Sequence, residues 1–466
     1  MATVTNTEPA EPCAGIRLIV DKECALAGAS QALSSGIRER LTIKNPKYDA
    51  AVRYGRWVGK QLKPKLYFFR ESGDRLIFPR GFANQAVVLC RKYSGCSPAI
   101  IDNRRLLDPV EFSFSGKLRP YQQQAVTSVL GRSFGVLEAG TGSGKTVMAL
   151  KILAERKQPT MIIVHSRELL HQWQERIEEF LGIEAGQAGG GRFNIQPVTV
   201  GIVNTVRNRL AELTSLFGHL IVDECHRVPA SLFTDVVSGF DAWFMLGLSA
   251  TAFRREDGMT KVIYTYMGDR VHLVDSDELV KSGAIVRPEY ICRETEFTYG
   301  FRGEYSKLIK ALAKNEARND QIAGDIAVLL ESGHPGTVLI VSDRVAHCRV
   351  LQEKLAALGH DAALLTGRVH PEERERIVAR VRAGNISALI STLQLIGEGF
   401  DCPGLTTIVL ATPIKFEGRL LQVVGRVMRP AKGKSAKVID YADVGVPVLR
   451  RSAEKRRELF DRWGEI

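Results

Sequence analysis

The stretch "FGVLEAGTGSGKTVMAL", residues 134–150, runs from a short apolar segment through a glycine-rich turn into a helical pattern. Glycines at 140, 142 and 144 let successive backbone N–H groups curl around one point, and the following helix adds its positive N-terminus there. A phosphate group suits such a place. Ala139 to Thr146 fits A-x-x-x-x-G-K-T, so Ala139, Gly140, Thr141, Gly142, Ser143 and Gly144 form the expected cradle. Lys145 is placed to reach the outer phosphates of a nucleotide, and the Thr146 hydroxyl to help hold Mg²⁺.

A phosphate loop needs a second magnesium contact and a group to position water. "HLIVDECH" ends an apolar run with Asp223 and Glu224, where open α/β sheets place ligands. Asp223 is the expected Mg²⁺ ligand, directly or through water, and Glu224 the residue that orients and polarises the attacking water. The same rhythm surrounds both motifs. "TMIIVH", "PVTVGIV", "HLIVDE" and "WFMLGLSA" alternate with helical stretches such as "RELLHQWQERIEEFL". Short, wholly apolar strands separated by helices imply a parallel sheet covered on both faces.

That rhythm returns later as "GTVLIVSD", "DAALLTG", "SALIST", "TTIVLAT" and "AKVIDY". Residues 252–330 between the two blocks read as a less regular connector with helices around "EYSKLIKALAKNEARNDQIAGDIAVLL". A chain of 466 residues exceeds one hydrophobic core. The expected organisation is a tail over 1–15, a basic segment over 16–112, and α/β domains over 113–285 and 286–466.

Charge marks the N-terminal segment. Net charge is +12, and Gly36–Pro120 alone carries 18 Lys/Arg against 7 Asp/Glu. A localised excess of this kind suits a polyanion. Here "NPKYDAAVRYGRWVGKQLKPKLYFF" interleaves basic residues with Tyr48, Tyr54, Trp57 and Tyr67, either as a stacking surface for bases or as the core of a small domain. "KLYFFRESGDRLIFPRG" reads as two short strands around Glu71-Ser72-Gly73-Asp74. No apolar run approaches the roughly 18 residues of a membrane span, and "MATVTNTEPAEPCAG" has no signal-peptide pattern. The eight cysteines include no CxxC pair, so free thiols in a reducing cytoplasm are expected rather than a zinc site.

From Leu118 to the C-terminus the chain resembles a superfamily 2 helicase or translocase of DExH type. "LRPYQQQA" resembles the adenine-reading segment, which implies that Gln122 binds the base. "IIVHSRELLHQW" and "VTVGIVNTV" resemble elements that grip a nucleic-acid backbone, and Ser249-Ala250-Thr251 the coupling motif. "STLQLIGEGFDCP" resembles the motif bridging nucleic acid and nucleotide, with Thr392, Gly397, Glu398, Gly399 and Asp401. "QVVGRVMR" resembles Q-x-x-G-R-x-x-R through Gln422, Gly425, Arg426 and Arg429. Arg426 and Arg429 lie three apart on one helix face and suit the charge developing on a γ-phosphate, as arginine fingers.

"GLSATAFRREDG" and "GAIVRPEY" resemble the XPB-like and phage-repair-like DNA branch more than DEAD-box RNA helicases. Arg255-Glu256-Asp257 is similar to a triplet of that branch but displaced by one residue, and no role is assigned to it. Only 20 residues separate Asp401 from Gln422, too few for a long strand-separating hairpin.

The resemblance implies two tandem RecA-like parallel-sheet domains behind a small basic α+β domain. It also implies ATP and Mg²⁺ as cofactors, ATP bound between the two α/β domains, and movement on DNA rather than RNA. An RNA helicase, or a motor subunit recruiting a separate nuclease or a defence or repair complex, is the alternative.

Overall fold

A computed structural model of the chain describes residues 12–461 except 54–56, 60–61, 227–229, 251–259, 334–335, 368, 398–403, 415–416 and 429–435. The chain divides into two compact units, one of Met1–Ala139 and Gly144–Leu273, the other of Gly140–Ser143 and Val274–Ile466.

The first unit is built around an eight-stranded sheet. Five of its strands are the apolar runs of the sequence, side by side in the order Val198–Ile202, Thr160–Val164, His219–Val222, Phe244–Ser249, Phe134–Ala139, all parallel. Their residues are almost all buried because helices cover the sheet, so apolar side chains are needed in both directions. The helix Arg167–Leu181 starts where the Ser166 hydroxyl accepts the Leu169 N–H and stops at Gly182 with φ +66°. It buries Leu170, Trp173, Ile177 and Leu181, a stripe at helical spacing.

The N-terminal part of this unit is a mixed sheet in the order Arg70–Ser72, Arg75–Pro79, Glu23–Ala27, Pro12–Val20, Ser97–Asp102, with helices Gln31–Arg40 and Ala83–Ser94. Its first strand starts at Pro12, inside the stretch expected to be a tail, because Pro12 pairs with Ser97. Arg70–Ser72 and Arg75–Pro79 form the expected hairpin about Gly73, at φ +60°. Lys65–Tyr67 does not join it. Phe68 and Phe69 turn in against the core, and Lys65–Tyr67 pairs instead with Thr42–Lys44.

This basic part does not stand apart from the sheet that follows. One apolar cluster runs from Ile16, Leu26 and Phe78 through Phe134 and Met245 to Met267. Arg80, only 2% exposed, donates to the Ala242 carbonyl at 2.9 Å, and burial lowers its pKa to about 10. Around it, Arg105 pairs with Asp241 through two hydrogen bonds, and Arg104 donates to the Trp243 carbonyl while lying over that indole.

The second unit holds a six-stranded sheet, all parallel, ordered Pro288–Glu294, Ala436–Ala442, Leu405–Leu410, Thr337–Ser342, Ala388–Thr392, Ala363–Leu365. Two ion pairs are sealed inside it, Arg318 with Asp443 at 2.6 Å and Arg456 with Asp440 at 2.7 Å. The presumed connector is more regular than its sequence suggests. Arg270–Val274 adds an edge strand to the first sheet and Pro288–Glu294 one to the second.

Among the described residues Cys24, Cys90, Cys225, Cys292 and Cys348 are free thiols. Cys96 departs from the expectation and is disulfide-bonded. It immediately precedes the strand Ser97–Asp102, whose Ser97 pairs with Pro12 of the first strand. No described helix is long and apolar enough to cross a membrane.

Candidate active site

Strand Phe134–Ala139 delivers the chain into the glycine turn, and helix Lys145–Arg156 leaves it. Gly142 and Gly144 take φ of +88° and +80°, a left-handed backbone that a side chain would oppose. Gly144 has a second constraint: a Cβ added there would lie 2.4 Å from Nε2 of Gln122. The Gln122 amide therefore lies against the phosphate loop. Its side-chain oxygen accepts the Arg119 N–H at 2.9 Å, which fixes its orientation.

Lys145 opens the helix and turns back, donating from Nζ to the Ala139 carbonyl at 3.0 Å. The same Nζ is 3.8 Å from Oε1 of Glu224, although 79 positions separate the two in sequence. Thr146 is the next residue of the first turn and is half-buried.

Asp223 and Glu224 follow strand His219–Val222 at its carboxyl end. Asp223 is buried, and both of its oxygens accept hydrogen bonds. Oδ1 takes the Glu224 N–H at 2.8 Å and Oδ2 the Trp173 indole N–H at 2.8 Å. Burial and the adjoining Glu224 carboxylate raise the pKa of Asp223, while the Trp173 hydrogen bond and Lys145 act against that rise. Glu224 holds φ +45°, a left-handed conformation that a non-glycine residue adopts at a cost of about 1–2 kcal/mol. Next to it, His226 Nδ1 lies 3.3 Å from Glu224 Oε2 and 2.9 Å from the Ser249 hydroxyl. Glu224 is thereby linked to the strand end that carries Ser249 and Ala250.

These residues fit a nucleotide-bound Mg²⁺. That ion typically takes one or two carboxylates, phosphate oxygens and several waters rather than a full protein cage. Asp223 keeps lone pairs beyond the two hydrogen bonds it accepts, and Thr146 offers a hydroxyl. Among the described residues no group of three or more His, Cys, Asp or Glu side chains could hold a metal alone.

In the second unit, Gln422, Gly425 and Arg426 lie on helix Glu417–Val427, and Thr392 ends strand Ala388–Thr392. Arg429, Asp401, Glu398, Gly399 and Thr251, with the Arg255-Glu256-Asp257 triplet, lie outside the described residues. Trp173 is the residue that reading by pattern missed. At helical spacing it looks like one more core side chain, and only its indole N–H distinguishes it.

Comparison with known proteins agrees with this layout. The family model "Type III restriction enzyme, res subunit" matches residues 115–254, and "Helicase conserved C-terminal domain" matches 321–431. A DNA 3'-5' translocase, XPB2 of Sulfurisphaera tokodaii, is 26% identical over 376 residues, covering 73% of this chain and 84% of that protein. The ATP-dependent DNA helicase uvsW of Enterobacteria phage T4 is 24% identical over 450 residues, covering 89% and 86%. In fold, the chain is similar to a fragment of a type I restriction enzyme HsdR subunit from Vibrio vulnificus, with TM-score 0.56 and 20% identity over 70% of this chain and 64% of that one. Two tandem RecA-like sheets, a phosphate loop facing a DExH carboxylate pair and these relatives together place the chain among the superfamily 2 helicases and translocases, near the XPB-like and phage helicase branch.

Proposed function

We propose that this protein is an ATP-dependent DNA helicase or translocase that couples nucleotide hydrolysis to movement on DNA or to its remodelling. The observation that carries the proposal is the approach of Lys145 to Glu224 beside buried Asp223 at the carboxyl end of the parallel strands, which supports reading the three as phosphate ligand, water-positioning carboxylate and metal ligand.

Gln122 reads the adenine base, and the backbone of Ala139–Gly144 cradles the phosphates. Lys145 leaves its contacts with the Ala139 carbonyl and Glu224 to reach the outer phosphates. Thr146 and Asp223 hold Mg²⁺, which when bound screens the phosphate charge. Glu224 then orients water for in-line attack, while His226 links its carboxylate to Ser249. Arg426 and Arg429 stabilise the charge that develops on the γ-phosphate, and Gln422 and Asp401 complete the nucleotide contacts.

The basic N-terminal part is the proposed nucleic-acid contact outside the motor, and DNA is the proposed substrate because the similar proteins are named for acting on it. Steady-state ATPase measured with single-stranded, duplex and forked DNA and with RNA tests the reading. Stimulation by DNA above RNA supports it. Stimulation by RNA alone would transfer the assignment to an RNA helicase.

A further inference from the structure

Part of the basic N-terminal region is arranged against its own stability. In the two-stranded ribbon Thr42–Lys44 and Lys65–Tyr67, the register opposes Thr42 to Tyr67, Ile43 to Leu66 and Lys44 to Lys65. Alternation sends half-buried Ile43 and Leu66 to one face, and Lys44, Lys65 and Tyr67, all exposed, to the other. Like charges directly opposed across a ribbon are destabilising. No described residue forms an ion pair with Lys44, Lys63 or Lys65.

Between the two strands, buried Asn45 ties the start of helix Pro46–Arg53 to Lys63 and Pro64. The Asn45 N–H donates to the Pro64 carbonyl at 2.9 Å, and its side-chain amide to the Lys63 carbonyl at 2.8 Å. Trp57, between that helix and the second strand in sequence, is 90% exposed. Its ring covers Gly59 so closely that a Cβ there would lie 2.9 Å from Cζ3. Tyr67 is 58% exposed, so neither ring is core. Beside the ribbon is a cavity of about 660 Å³ whose lining includes Lys44 and Lys261, with Asp49 its one acidic residue.

We propose that the exposed face of this ribbon, with Trp57, docks an unpaired DNA strand, a proposal that rests on the nucleic-acid reading above. Lys44, Lys65 and Lys261 neutralise phosphates, which removes the repulsion built into the ribbon. Trp57 stacks on a base. That last contact selects an unpaired strand, because in a duplex both faces of each base are already covered by neighbours.

The test uses the full chain with Trp57→Ala and Trp57→Phe, and compares an oligothymidine of about 16 nucleotides with a blunt duplex. Trp57→Ala is expected to weaken oligothymidine binding about tenfold or more, within the range of base–aromatic stacking. Duplex affinity and ATPase without nucleic acid should stay within about twofold. Trp57→Phe, which keeps a stacking ring, should recover most of the loss. Saturating oligothymidine should quench a component of the tryptophan emission that Trp57→Ala lacks. Unchanged oligothymidine affinity in Trp57→Ala, or equal loss for oligothymidine and duplex, overturns the proposal. If DNA fails to bind the unaltered protein or to stimulate its ATPase, the helicase reading falls and this surface with it. If DNA binds and stimulates normally and only the Trp57 effect is missing, the surface alone is refuted.

Discussion

At Glu224 a left-handed backbone angle, a lysine and a histidine meet, and the residue's chemistry can be separated from its structure by one atom. Glu224→Gln keeps size and backbone but loses the carboxylate proposed to polarise water. It is expected to bind ATP normally and to cut turnover by about two orders of magnitude or more, measured as nucleotide affinity against kcat. Lys145→Ala should instead raise the ATP concentration needed for half-saturation, since Lys145 is the proposed phosphate ligand. Trp173→Phe isolates the indole N–H. Loss of a hydrogen bond to a charged group costs about 1.5–3 kcal/mol. Here it frees Oδ2 of Asp223, so the expected result is a higher Mg²⁺ requirement and a lower kcat with ATP affinity nearly unchanged. A melting shift with normal Mg²⁺ dependence would make Trp173 only a core residue. Lys145, Asp223 and Glu224 could be picked out from letter order because the roles proposed for them demand those residue types, and the structure brings Lys145 and Glu224 together beside Asp223. Trp173 could not, since nothing in a helical stripe tells a packing indole from a donating one.

Most of the strands legible before the structure are almost wholly buried. "TVLIVS" at Thr337–Ser342 and "TMIIV" at Thr160–Val164 are apolar but for Thr and Ser at their ends, because helices cover both faces of their sheets. "RVHLV" at Arg270–Val274 and "PEYICRE" at Pro288–Glu294 are edge strands, partly open to solvent, and their mixed character hid them in the connector. Polar residues inside the second sheet give a test at this scale. On helix Val345–Ala357, His347 is held neutral between the Ser342 hydroxyl and the Asn319 side-chain oxygen, each at 2.9 Å. Burial and nearby Arg318 lower its pKa to about 3. An unfolded chain protonates this histidine near pH 6.5, so below that pH the unfolded state binds the extra proton and the folded state does not. Stability from this site is complete above about pH 6.5 and is lost progressively toward pH 3, about 2 kcal/mol of it by pH 5. Urea midpoints across that range should fall less steeply in His347→Gln. The sealed Arg318–Asp443 pair is tested by removing one partner. Asp443→Ala leaves a buried guanidinium uncompensated and is expected to cost about 3–5 kcal/mol in urea unfolding.

Over the whole chain, the N-terminal charge excess was visible by counting, but its attachment was not. Arg80 looks like any other basic residue until its guanidinium is found buried against Ala242, and the shared core from Ile16 to Met267 has no signature in composition. Removing residues 1–112 would strip one side of that core. The truncated chain is expected to aggregate rather than survive as a bare motor, which solubility and light scattering would check. Charge reversal at exposed lysines is the gentler probe, and its expected mark is a flatter dependence of DNA affinity on salt, because fewer counterions are released. The claim on which the rest depends is that hydrolysis at Lys145, Asp223 and Glu224 is harnessed to DNA. Its most direct measurement is steady-state ATPase of the unaltered protein and of Glu224→Gln, each with and without saturating DNA. DNA should raise the unaltered rate about tenfold or more, and Glu224→Gln should stay near background in both conditions. An unaltered rate indifferent to DNA, or a Glu224→Gln protein that DNA stimulates as well as it stimulates the unaltered one, would contradict it.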